Sequence, residues 1–261
     1  MTQLFTLFSS SAGNCACLSS GATTLLIDAG GNCKKISEAL LGHGIDPQTL
    51  NGILLTHEHT DHISALKVLL KRCPVPVYSR PGTLQYLADH DLIPPNAALV
   101  PVEEGGVIGD ISFSVFPTLH DCADPCGYTF SLPDGRKVGV ATDLGRFTDV
   151  VFDSLCGSDI VVLESNYDRN MLEVSGYPYP LIRRIKSDTG HLSNDDCAGA
   201  VLRLVRQGVR RLILAHTSKQ NNFEELAWRT TYDTLQQEDL QPDEITLEVA
   251  PKFTCSPVIA V

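Results

Sequence analysis

Residues 57–62 hold three imidazoles, His57, His59 and His62, together with the carboxylate of Asp61. His57 and His59 are two apart, so on an extended segment they point the same way. Asp61 and His62 follow at once and face a second point if the chain turns into a helix there. Neutral imidazole and carboxylate together suit Zn, Mn or Fe. Such ligand-rich spacing seldom arises without a metal role, the bland alternative being a polar loop with histidines by chance.

More residues of the same kinds stand at the ends of apolar runs. His120 follows Phe116-Pro117-Thr118-Leu119, Asp143 follows Val138 to Thr142, and His216 follows Leu212 to Ala215. His191 stands apart in Thr189-Gly190-His191-Leu192-Ser193-Asn194. Taken singly, each is more often a polar loop residue. Taken with the first cluster, they suggest one shared sheet edge.

The elements that must position these residues follow from periodicity. Gly52 to Leu55 reads as a buried strand, and Ile63, Leu66, Leu69 and Leu70 recur at helical spacing, so the cluster sits on a strand-to-helix turn. Strands are expected over 3–8 and 15–28, with a serine-rich turn, Ser9 to Asn14, between them. A helix with Ile36, Ala39, Leu40 and Leu41 on one face ends at Gly42 and Gly44. Residues 98–140 are β-rich, and Pro133-Asp134-Gly135 has the residues of a tight turn. Further strands fall at 160–163 and 212–215, and helices near 82–89, 178–186, 194–207 and 222–238. Strands and helices alternate throughout without repeat or linker, which fits a single α/β domain.

Composition narrows the class. The chain has 261 residues, 43% apolar and 20% charged, ordinary for a soluble globular protein. No apolar run approaches a bilayer span, and Met1 to Leu7 lacks the form of a signal peptide, so no membrane association is expected. Nine scattered cysteines read as reduced thiols, which points to the cytoplasm. Cys122 and Cys126 flank a turn beside His120; plain thiols are the expectation there over an accessory metal site. A net charge of −11 argues against broad, strong binding to nucleic acid, yet two divalent ions would make the cleft itself positive. Lys34, Lys35, Arg183, Arg184 and Lys186 are candidates for a substrate track, against the commoner role of a solvated helix face. The sequence sets no oligomeric state.

The H-x-H-x-D-H pattern of His57 to His62 resembles that of the metallo-β-lactamase-fold hydrolases. The resemblance implies a four-layer αββα sandwich over residues 1–261 and two divalent metal ions at one edge. It implies that His57, His59 and His120 hold one metal, Asp61, His62 and His216 the second, and that Asp143 bridges them. The cysteine-free set resembles the phosphodiesterase and glyoxalase branches. Ser10 to Cys15, Glu164-Ser165-Asn166-Tyr167-Asp168, Gly190 to Asn194 and Leu214 to Ser218 together resemble the YycJ/WalJ-type branch. That resemblance implies a 5′-to-3′ exonuclease acting on DNA.

Phosphodiester hydrolysis needs a nucleophile, charge neutralisation and help for the leaving alkoxide. Two metals supply a bridging hydroxide at neutral pH and stabilise the phosphoryl oxygens. A histidine that is not a ligand can then protonate the leaving oxygen, a role expected of His191, with Glu164 orienting it. The competing role for Glu164 is a surface salt bridge. Asp61 joins His191 and Glu164 in the expected catalytic set. Ser10, Asn14, Ser193 and Asn194 are the expected neutral donors to a terminal phosphate, though a plain turn explains Ser9 to Asn14 equally well. The alternatives in function are a glyoxalase II-like thioesterase and an RNA-processing nuclease.

Overall fold

The structure, a computed structural model, describes residues 2–238, 240 and 244–260. One sheet runs in the order β14-β1-β2-β3-β4-β5-β6. Its strands are β1 (Gln3–Ser10), β2 (Gly13–Ser20), β3 (Thr23–Ile27), β4 (Gly52–Leu54), β5 (Val77–Ser79), β6 (Leu99–Pro101) and β14 (Ile259–Ala260). The second sheet runs β13-β12-β11-β10-β9-β8-β7. It contains β7 (Gly105–Ile108), β8 (Ile111–Pro117), β9 (Cys126–Ser131), β10 (Lys137–Ala141), β11 (Ile160–Glu164), β12 (Arg211–Ala215) and β13 (Thr246–Val249). Each sheet joins an antiparallel part to a parallel one: β3 to β6 are parallel in the first, and β10 to β13 in the second.

Side chains alternate across these strands, and both faces are buried. Leu25 and Ile27 point inward to meet Tyr128, Phe130, Val138 and Val140 of the other sheet. Leu26 and Ile53 point outward onto α1 (Cys33–Gly42), α3 (Leu66–Arg72) and α4 (Pro81–Asp89). On the second sheet Val161, Leu163 and Leu214 point outward onto α5 (Asp149–Leu155), α8 (Asn194–Arg206) and α9 (Glu224–Gln237). Strands buried on both faces need apolar residues at every position, which is why these segments read as continuous apolar runs. The result is helix, sheet, sheet, helix: a four-layer αββα sandwich in a single domain.

Three expectations need correction. Leu41 is exposed, because α1 buries only Cys33, Ile36 and Leu40 against the sheet. The helix after the histidine cluster is broken into α2 (Thr60–Ile63) and α3, although Ile63, Leu66, Leu69 and Leu70 are all buried. The serine-rich segment is mostly strand: β1 and β2 pair as far as Ser10 with Gly13, leaving Ser11 and Ala12 as the turn. The nine cysteines are unpaired thiols, and among the described residues no helix is long and apolar enough to cross a membrane.

Candidate metal centre

The carboxyl ends of β3, β4, β10, β11 and β12 open on one edge of the sandwich, the usual place for ligands in α/β sheets. β4 delivers the first histidines. His57 follows β4 by three residues, His59 stands on extended backbone and caps α2, and α2 turns Asp61 and His62 toward a second point. Asp143 lies two residues beyond β10, Glu164 is the last residue of β11, and His216 follows β12 directly. His120 lies three residues past β8, and His191 three residues before α8. Gly30 lets the loop after β3 close on this turn: a Cβ there would lie 1.6 Å from the Asp61 carbonyl oxygen.

Potential donor atoms gather in three groups, each within 4.8 Å: His57, His59 and His120; Asp61, His62 and His216; and His57, His62 and Asp143. Asp143 lies between the first two. Its Oδ2 is 3.0 Å from His62 Nε2, and its Oδ1 is 3.6 Å from His120 Nε2 and 3.5 Å from His216 Nδ1. A fourth group, Asp143, Glu164, His191 and His216, is internally hydrogen-bonded. In it Glu164 Oε1 accepts from His191 Nδ1 and from His216 Nδ1, both at 2.8 Å. Glu164 Oε2 accepts from the backbone N–H groups of Leu144 and Leu192. Glu164 is fully buried, so the surface salt bridge is excluded.

The surroundings fix which nitrogen of each ring turns inward. His216 is tied by Nδ1 to Glu164, so its Nε2 faces Asp61 Oδ2 at 3.3 Å. His62 is tied by Nδ1 to Asp28 Oδ2 at 2.8 Å, and His120 by Nδ1 to the carbonyl of Gly190 at 3.0 Å. Thr56 Oγ1 donates to Asp28 and accepts from His57 Nδ1, which leaves His57 Nε2 buried with no hydrogen-bond partner. Asp143 Oδ2 is likewise buried without one, lying in an ion pair 3.0 Å from His62 Nε2. Two orphaned donors aimed into one space, among imidazoles and carboxylates, fit divalent cations.

Electrostatics give the same reading. Burial pushes the pKa of His57 and of His120 down, holding both neutral. At His62 burial is outweighed by Asp143, Asp28 and Asp61, which raise it. At His216 burial is outweighed by Asp143, Asp61 and Glu164, which push it up to about 10. Asp61 and Asp143 are lowered against their burial by His62 and His216, and Glu164 by His191 and His216. Anionic carboxylates thus hold protons on two histidines where a cation would otherwise sit. His59, Asp61 and His191 are the partly exposed members and open the centre to solvent.

Of the expected substrate donors, three prove to be otherwise engaged. Ser10 is buried, its hydroxyl accepting from Ala12 N–H. Ser193 caps α8 by accepting from Asp196 N–H. Asn194 is paired amide to amide with Asn222 and accepts from Ser165. All three are buried and bond within the protein. Asn14 is also inward, but its Nδ2 reaches Asp61 Oδ2 at 3.1 Å and His62 Nε2 at 3.0 Å, so it steadies the second donor group. Cys122 and Cys126 enter no donor group among the described residues; burial pushes both thiols up. Sequence reasoning missed Asp28, Thr56 and Glu58, whose buried Oε1 accepts from Ala123 N–H at 2.7 Å. Asp28 carried a signal, since it follows Leu25-Leu26-Ile27 as Asp143 follows its own apolar run.

Two facing seven-stranded sheets with a histidine and aspartate cluster at one edge are the architecture of the metallo-β-lactamase fold. The chain belongs to the beta-lactamase superfamily, whose domain model matches residues 23–217. It is 35% identical over 236 residues to the exodeoxyribonuclease YycJ of Bacillus anthracis, covering 88% of each chain. It is 34% identical over 238 residues to the exodeoxyribonuclease WalJ of Streptococcus pneumoniae, covering 90% of this chain and 88% of that one. Yeast PDE1 superposes with a TM-score of 0.73 at 13% identity, over 98% of this chain and 99% of that one, a likeness of fold.

Proposed function

We propose that residues 1–261 form one hydrolase domain, a cytoplasmic dinuclear metal-dependent phosphodiesterase that removes nucleotides from the 5′ end of DNA. The observation that carries this reading is His191. It lies beside two donor triads with Asp143 between them, its Nδ1 is bound to Glu164, and it belongs to neither triad, grouping instead with Asp143, Glu164 and His216. His57, His59 and His120 would hold one ion and Asp61, His62 and His216 the other, with Asp143 between them. Zn, Mn and Fe all accept this donor set. Bound there, two divalent ions supply a water activated at neutral pH and positive charge for the phosphoryl oxygens.

The chain's own residues do the rest. Glu164 holds His191 with Nδ1–H inward, so Nε2 is the nitrogen left to carry a proton toward the cleft. From there it protonates the departing 3′ oxygen as the P–O bond breaks. Asp28, Thr56 and Asn14 keep His62 and Asp61 oriented, as the partners of metal-binding histidines and carboxylates do. The two exodeoxyribonuclease relatives support DNA as the polymer, and the unpaired thiols support a reducing compartment.

End-labelled linear DNA, a covalently closed circle and an RNA of the same sequence, each with Mn²⁺ or Zn²⁺, test the proposal. Stepwise release of mononucleotides from the linear 5′ end is expected. Rapid cutting of the circle would rule out an obligate exonuclease, and cutting of RNA alone would make this an RNA-processing nuclease. Thioester hydrolysis with no diester cleavage would assign it to the glyoxalase II-like class.

A further inference from the structure

Between α6 (Arg169–Glu173) and the His191 loop runs a segment that presents aromatic and basic side chains to solvent. Residues 174–187, like 62–88 and 197–223, carry basic residues and no acid; here they are Arg183, Arg184 and Lys186. The helix in this segment, α7 (Tyr179–Ile185), has no buried residue. Val174 is 86% exposed and Tyr179 71%, whereas elsewhere rings and branched side chains of this protein mostly fill its three cores. Tyr177 and Tyr179 are each followed by a proline, which stiffens the backbone that presents them.

This segment is joined directly to the centre. His191 N–H donates to the Ile185 carbonyl at 2.9 Å. Gly190, whose carbonyl holds His120, lies so close to the segment that a Cβ would meet the carbonyl oxygens of Ile185 and Arg184 at 2.2 and 2.3 Å. Arg184 binds Asp121 through two hydrogen bonds, and Asp121 Oδ1 lies 3.7 Å from His120 Nε2. Lys186 is paired with Glu173 at 2.9 Å. Arg183 is exposed and forms no ion pair among those of the described residues.

We propose that residues 174–187 are the track along which a single DNA strand reaches the metal centre, with Arg183 on a phosphate and Tyr177 and Tyr179 stacking on unpaired bases. This rests on the phosphodiesterase reading given above. Every base offers a π-face, so aromatic stacking suits an enzyme that must pass any sequence. In a protein of net charge −11, a segment beside the centre with one arginine outside the ion pairs makes few phosphate contacts. The tie from Ile185 to His191 sets the bound strand in register with the group that protonates the leaving oxygen.

The test uses metal-loaded protein and a fluorescent, 5′-phosphorylated strand of about 20 nucleotides with phosphorothioate links, followed by anisotropy. Tyr179→Ala is expected to weaken binding at least about fivefold, the low end for one aromatic base stack. Arg183→Ala is expected to reduce the slope of log K against log salt by about 0.7, one single-strand phosphate contact. Lys71→Glu, an exposed change on α3 in the outer layer, controls for net charge and should bind as wild type does. Wild-type affinity and slope in both segment variants would overturn the track, as would an equal loss in Lys71→Glu. Hydrolysis of bis(p-nitrophenyl) phosphate by the wild type separates the two readings. A diesterase whose strand binding ignores the segment overturns the track alone, and segment-dependent binding without diesterase activity overturns the activity alone.

Discussion

Glu164→Gln removes a charge while keeping the volume of a side chain that accepts four hydrogen bonds and donates none. Oε1 takes Nδ1–H of His191 and of His216, and Oε2 takes N–H of Leu144 at 2.7 Å and of Leu192 at 3.1 Å. A glutamine has one accepting end and one donating end. If its NH₂ faces the histidines, both rings must move their proton to Nε2. For His216 that is the nitrogen 3.3 Å from Asp61 Oδ2, the one turned toward the second donor triad, and a protonated nitrogen binds no metal. If its NH₂ faces the backbone instead, two buried N–H groups lose their acceptor. Each lost charge-assisted bond costs about 1.5–3 kcal/mol, and each stranded buried group about 1–3 kcal/mol. At about 1.4 kcal/mol per tenfold, one such loss is roughly one to two decades, the range seen when the partner of a metal-binding histidine is removed. The expected outcome is a fall in both metal retention and diester turnover of about 10–100-fold, with the protein still folded. Elemental analysis after dialysis against limiting metal, beside turnover of a chromogenic diester, reads both. Wild-type metal content and turnover within about twofold would refute the assignment of Glu164 as the shared anchor of His191 and His216.

Three further outcomes follow from the same wiring. His191→Ala should keep metal near wild-type content while slowing turnover by about 10²-fold or more, the range for a lost general acid; metal loss in proportion to activity would make His191 a ligand. His216→Ala should lose metal and activity together. In metal-free protein the His216 pKa stands at about 10, because Asp143, Asp61 and Glu164 outweigh its burial, so at neutral pH an incoming ion must displace a proton. Metal affinity should therefore rise with pH toward about 10 and fall below it, with protons released on binding. Calorimetry in buffers of different ionisation heat measures the release, and pH-independent affinity without released protons would contradict the raised value.

The donor cluster was legible because its members are local or mark strand ends. His57 to His62 lie within six residues, and Asp143, Glu164 and His216 each close an apolar run that burial on both sheet faces requires. The strands were legible for the same reason. The substrate donors were not. Ser10, Ser193 and Asn194 have the right chemistry, but only the fold decides whether a hydroxyl or amide is exposed to a cleft or engaged within the protein, and all three are buried. The short helices α5 and α6 went unread: α6 has five residues, too few for a helical period to stand out, and α5 buries only Val151 and Leu155. The broken helix after the cluster has a similar cause: the apolar spacing runs on across Ser64 and Ala65, but Ala65 N–H bonds to Ala29, so the backbone leaves the helix there.

Backbone strain shows what the sheets contribute beyond bringing residues together. Among the described residues, four that are not glycine have positive φ, and three of them, Asp28 at 60°, Asp143 at 59° and His216 at 55°, sit at the ends of strands feeding the centre. A left-handed residue with a Cβ costs on the order of 1–3 kcal/mol, less for aspartate, and persists only where the surroundings over-determine it. Here they do: Asp28 N–H is bound to Leu54, His216 N–H to Ser9 Oγ, and the strands before all three are paired on both sides. The turn in each case swings a side chain off the strand direction and back over the sheet edge. Extended backbone would have sent Asp143 and His216 along their strands and left the two donor triads without their shared neighbour. The strain is therefore stored by the paired sheets and spent on aiming three side chains, which is why residue type and spacing foretell the members of the centre but not the angle at which they meet.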